Sequence, residues 1–203
     1  MDFNIVAFSY LFLRLAPFIL ICFFSLSSIF NSDFRGIVYL MGVLLSALLC
    51  IFAGNLFENL IRPKDNEPPA ICDFITINNM RQFSSIPLGN NLLTFTLFYL
   101  VYAMHEYNIV SKNVPTIFFL SSLIFFNTIW NLNKNCYTLS ALLLSIVIGG
   151  GAGWLWGKII KDGFKASNLL YFTGIENSNH CSRPTRQTFK CKVYKNGVLV
   201  GGK

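Results

Sequence analysis

Residues 35–57 read RGIVYLMGVLLSALLCIFAGNLF, and their only charge is the arginine that opens the run. A bilayer core about 30 Å thick is crossed by about 20 apolar residues in a helix. Lipid offers no partner to a free backbone N–H or C=O, so a run of this kind spans as a helix. Four further stretches read the same way, near residues 5–30, 88–105, 114–131 and 138–158. The expected fold is an all-α integral membrane helical bundle of about five transmembrane helices over residues 1–160. A basic tail, 161–203, follows it.

Composition agrees with this reading. Hydrophobic residues make up 54% of the chain and charged residues 12%, whereas a soluble domain carries about a quarter charged. The first stretch is read as a span and not as a signal peptide, because no basic residues precede it and Asp2 is acidic. Arg14 and Pro17 inside it leave open a second reading, in which it lies in the membrane interface.

The net charge of +7 gathers toward the end of the chain. Lys158, Lys161, Lys165, Arg183, Arg186, Lys190, Lys192, Lys195 and Lys203 stand against Asp162 and Glu176. By the positive-inside rule the tail is expected on the cytoplasmic side. Counting spans back puts the 58–87 and 132–137 loops on the other face, together with the N-terminus. If the first stretch is interfacial, the N-terminus changes side.

Local signals refine the picture. Asn31-Ser32-Asp33 is a short turn that makes the first two spans antiparallel. Pro87-Leu88-Gly89-Asn90-Asn91 opens the third span, and Asn is a favoured N-cap, so the helix is predicted to begin at Asn90 or Asn91. Tyr99, Tyr102, His105 and Tyr107 are predicted to form an aromatic belt at its far end, and Trp154 and Trp156 a second one near Lys158. The stretch from Cys72 to Ile86 is expected along the membrane surface. Gly149, Gly153 and Gly157 share one helix face, which admits either a neighbouring helix of the same chain or a second copy.

Cys22 and Cys50 read as small apolar fillers. His180, Cys181 and Cys191 fit no common zinc spacing, and neither a metal nor a cofactor is expected. In the tail, Thr188–Tyr194 alternates as a strand does. Lys195-Asn196-Gly197 is a hairpin turn and Val198-Leu199-Val200 can return, so a small cytoplasmic β-hairpin is predicted.

Three segments expected on the non-cytoplasmic face resemble, in order and spacing, the type 2 phosphatidic acid phosphatase superfamily. These are membrane enzymes that cleave lipid phosphates through a phosphohistidine. The family's motifs run Lys-x6-Arg-Pro, Pro-Ser-Gly-His and Ser-Arg-x5-His-x3-Asp. Here Arg62 and Pro63 match the first and Asn55 replaces its lysine. Pro87 and Gly89 match the second, with Leu88 for serine and Asn90 for histidine. In the third, Cys136 or Tyr137 stands where the nucleophile belongs, and Ser140 or Ala141 where its carboxylate partner belongs. The resemblance covers roughly residues 36–160.

That reaction needs one imidazole to attack phosphorus and another to protonate the leaving oxygen. The chain has two histidines, His105 and His180, and both fall on the opposite face in this topology. The resemblance therefore implies a phosphatase fold without phosphatase activity.

Residues 182–197, SRPTRQTFKCKVYKNG, are similar to a segment of phosphatase-like membrane proteins of large icosahedral DNA viruses. That likeness implies a multi-pass protein of a virion inner membrane derived from host endomembrane. It also implies a structural role linking the bilayer to capsid proteins. Arg183, Arg186, Lys190, Lys192 and Tyr194 are the expected partner-binding residues. Self-association and nucleic acid remain open as further partners, and a lipid-headgroup binder or transporter is the alternative function.

Overall fold

The computed structural model describes residues 5–57, 72, 85–163, 169–170, 192–195 and 198–202. Side chains are described from residue 11 onward and not in the last two segments. The chain forms two units, Met1–Tyr171 and Phe172–Lys203. The first runs past the boundary expected near residue 160, and Leu170 is buried in it. In the second, strands β1 (Lys192–Lys195) and β2 (Val198–Gly202) pair antiparallel, with a register shift between Val193 and Tyr194.

Among the described residues the first unit holds five α-helices: α1 (Ile5–Asn31), α2 (Arg35–Leu56), α3 (Leu88–Glu106), α4 (Val114–Asn133) and α5 (Leu139–Lys158). A π-helical turn, Ile159–Gly163, extends α5. Among the described residues, four segments are long and apolar enough to cross a membrane: Leu11–Asn31, Arg35–Leu56, Val114–Asn133 and Leu139–Gly163. They turn large apolar side chains outward, among them Phe18 and Phe23 of α1, Leu44 and Leu48 of α2, Phe118 and Phe125 of α4, and Val147 of α5. Such outward apolar faces suit lipid. α1 is one continuous helix despite Pro17.

α3 stands apart. It is expected from sequence as a span, but it is not one of the four apolar segments. Asn90, Asn91, Thr94 and Thr96 dilute its hydropathy, and all four are buried. α3 is the inner helix, packed against α1, α2, α4 and α5. Its start also differs from the expected N-cap at Asn90 or Asn91. The helix begins at Leu88, with extended Pro87 as the flanking residue. Both asparagine side chains are engaged with other helices and so are not free to cap.

The expected aromatic belt at the other end is corrected in the same way. Tyr99 and Tyr102 are buried among helices, with Tyr99 stacked on Phe95, while His105 is exposed. Trp156 likewise serves a helix contact, its Nε1 donating to the Val38 carbonyl at 3.0 Å.

α5 makes the closest approach to α3. A methyl group placed on Gly149 would overlap the backbone of Asn91, and on Gly153 that of Phe95. At Gly157 it would overlap the Tyr102 ring. The glycine face therefore meets a helix of the same chain, and the self-association left open by the sequence does not use it. Gly151, on the same helix, faces open space. Replacing Gly153 with Leu should destabilise the protein by about 1–3 kcal/mol through overpacking. Gly151→Leu should leave thermal unfolding in detergent unchanged, and both variants should keep the wild-type oligomer size on gel filtration.

Candidate functional site

The loop-side end of α3 gathers most of the buried polar groups of the bundle. Asn91 Nδ2 donates to Ser46 Oγ of α2 at 3.0 Å. Asn127 Nδ2 of α4 lies 3.4 Å from Asn90 Oδ1. Asn131, one turn on, donates to the Asn127 carbonyl at 2.8 Å. Ser145 Oγ of α5 donates to the Pro87 carbonyl at 3.1 Å. Three helices, α2, α4 and α5, are thus tied to the start of α3 by carboxamides and hydroxyls. Asn90 is fully buried, and its Nδ2 finds no acceptor among the described residues.

The turn between α4 and α5 closes over this end. Asn135 takes a positive φ of 52°, and Cys136 N–H donates to the Asn131 carbonyl at 3.0 Å. Cys136 is joined to Cys72 by a disulfide, with the Cα atoms 5.6 Å apart. Arg14 of α1 donates from Nη2 to the Cys72 carbonyl at 3.2 Å. Ile86 is buried against Cys50 and Ala141, and Tyr137 packs on the same cluster.

The residues singled out by sequence fall as follows. Pro87, Gly89, Asn90, Cys136 and Tyr137 belong to this end of the bundle. Asn55 is exposed near the end of α2. Arg62, Pro63, Arg183, Arg186 and Lys190 lie outside the described residues, as do His180, Cys181 and Cys191. Lys192 and Tyr194 are described only as backbone of β1. Cys72 and Ile86, expected along the membrane surface, are both buried.

Chemically the cluster is made of amides and hydroxyls, which donate and accept hydrogen bonds but do not transfer protons near neutral pH. A cysteine held in a disulfide has no thiolate with which to attack. His105 is 15 positions along α3 from Asn90, or about 22 Å at 1.5 Å per residue. It sits beside Trp154, with ring centroids 6.5 Å apart.

Sequence reasoning missed the Asn127–Asn131 pair, although two asparagines four residues apart in an apolar helix are a legible signal. It also missed the pairing of Cys72 with Cys136. The Asn91–Ser46 bond offers a direct test. A double-mutant cycle with Asn91→Leu and Ser46→Ala, read by unfolding in detergent, should give a coupling of about 0.6 kcal/mol, the average for bonds between membrane helices, and no more than about 1.7 kcal/mol. Comparison of the chain with protein-family models, with curated proteins and with solved structures gives no match.

Proposed function

We propose that the chain is a catalytically inactive, phosphatase-like membrane protein with a structural role. Its helical unit anchors it in a bilayer, and its basic tail joins that bilayer to other components of an assembly, such as the capsid proteins of a virion. One observation supports the reading above others. Where the resemblance places the acid, the chain has a buried Asn90 beside Asn127, and of Cys136 and Tyr137, either of which stands where the nucleophile belongs, Cys136 is spent in a disulfide. A carboxamide does not transfer a proton near neutral pH, a disulfide sulfur has no thiolate with which to attack, and a phenol is a poor replacement for imidazole. Electrostatic stabilisation is usually the largest catalytic contribution, and Asn55 in place of the motif lysine removes a cation that would have provided it.

Purified protein in detergent should release no phosphate from phosphatidic acid or isoprenyl diphosphates above background. Turnover that disappears on Tyr137→Phe would overturn the inactive reading. Deleting residues 180–203 should leave membrane insertion intact, because the spans and Lys158, Lys161 and Lys165 remain, and should abolish recruitment into the assembly. Normal incorporation of the truncated chain would reduce the tail to a topology signal. Changing Arg183, Arg186, Lys190 and Lys192 to Gln should weaken recruitment in a salt-dependent way.

The orphan Nδ2 of Asn90 favours a second reading, a lipid-headgroup binder that keeps a site without the chemistry. A buried donor with no acceptor is costly, and an oxygen of a bound headgroup would satisfy it. This reading expects a phospholipid to co-purify with the wild-type chain and to be lost from Asn90→Leu, as read by native mass spectrometry.

Orientation follows from two arguments. Disulfides persist in oxidising compartments, so the Cys72–Cys136 face belongs on the non-cytoplasmic side, and charge puts the tail on the other. Cys191 should react with an impermeant thiol reagent from the cytoplasmic side. Cys72 should react from the opposite side, and only after reduction.

A further inference from the structure

Arg14 is the only charged residue between Leu11 and Asn31. A guanidinium in a spanning helix is costly and calls for a partner. Its place along the bundle is marked by Pro17, one turn on, which lies in van der Waals range of the position a side chain would take on Gly89. Arg14 therefore sits level with, or just beyond, the first turn of α3. There its Nη2 meets the Cys72 carbonyl at 3.2 Å. Cys72 is in turn bonded to Cys136, in the turn fixed by the Asn131 carbonyl. The loop-side half of α1 is thus joined to the α4–α5 turn through one hydrogen bond and one disulfide in series.

Lower down, α1 has contacts of a different kind. Phe24 packs on Tyr39, with ring centroids 4.3 Å apart, and Gly36 lies against the Phe24 backbone and Ser28. Those contacts do not pass through either cysteine. Loss of the disulfide would remove the tie at Arg14 and leave these contacts, and that of Pro17 with Gly89, in place.

We propose that the Cys72–Cys136 disulfide is a redox-dependent latch that holds the loop-side half of α1 against the bundle through Arg14. Closing it is a thiol–disulfide exchange. The two thiols form one S–S bond and reduce a donor disulfide, such as glutathione disulfide, to two thiols, so that electrons and protons balance. Opening it frees Cys72 from the turn and takes the Arg14 acceptor with it. The guanidinium then turns to the membrane interface, as long cationic side chains do, and the first turns of α1 loosen. This inference is independent of any phosphatase likeness.

The test is hydrogen–deuterium exchange of the full chain in nanodiscs. Amides of residues 11–16 should exchange at least about tenfold faster after treatment with a phosphine reductant, since local opening sets their rate. Residues 20–30 should not change. Arg14→Gln should produce a similar increase in the oxidised protein and no further increase in Cys72→Ser/Cys136→Ser. Equal protection before and after reduction would overturn the latch. So would additive effects of Arg14→Gln and disulfide loss, or free thiols at both cysteines in protein from oxidising membranes. If the double serine variant does not fold, wild type and Arg14→Gln, each measured with and without reductant, decide the question.

Discussion

The backbone-to-backbone approach of α3 and α5 is the constraint on which the bundle depends. Lipid tails are as apolar as leucine, so apolar side chains give helices little reason to associate inside a bilayer. What remains is close packing and internal hydrogen bonding. Gly149 and Gly153 let α5 lie on the backbone of α3 where any side chain would collide. That approach brings Ser145 to the Pro87 carbonyl. It also brings Trp156 to Val38 and Gly42 of α2, so a second pair of helices takes its spacing from the first.

The polar residues of α3 follow from the same constraint. A lipid-facing helix with Asn90, Asn91, Thr94 and Thr96 would be poorly accommodated. An inner helix can satisfy them. Thr94 and Thr96 donate back to the carbonyls of Asn90 and Leu92, both at 2.8 Å, and Thr96 also shares a 2.7 Å hydrogen bond with Tyr39. Asn91 reaches Ser46 and Asn90 reaches Asn127. Polar groups that lower the hydropathy of α3 thereby specify which neighbours it takes and in what register.

This explains what the sequence could and could not disclose. Long apolar runs carry the helices plainly, because bilayer thickness sets their length. The ends of α1, α2, α4 and α5 were legible to within a few residues. The role of α3 was not, since hydropathy along one segment does not say which segment the others surround. Tyr99 and Tyr102 have the composition of an interfacial belt, and only their neighbours make them core. Six cysteines allow fifteen full pairings, and Cys72 and Cys136 stand 64 positions apart, so no local spacing pointed to the bond. The glycine face was legible as a contact, but the choice of partner helix needed the structure.

The disulfide and the carboxamide cluster bear on one another. Cross-linking a loop of 64 residues stabilises a chain by about 4 kcal/mol in the chain-entropy account. That figure assumes a free unfolded chain. Here Cys72 and Cys136 already belong to segments whose neighbouring helices are held by the bilayer, so the gain is smaller. What the bond adds beyond stability is position. It ties Cys72 to the turn whose backbone is bonded to Asn131, and Asn131 is bonded to Asn127, the partner of Asn90. The contacts at this end of α3 thus run in series, from the disulfide through the turn to α4 and from α4 to Asn90, so that each holds the next in place.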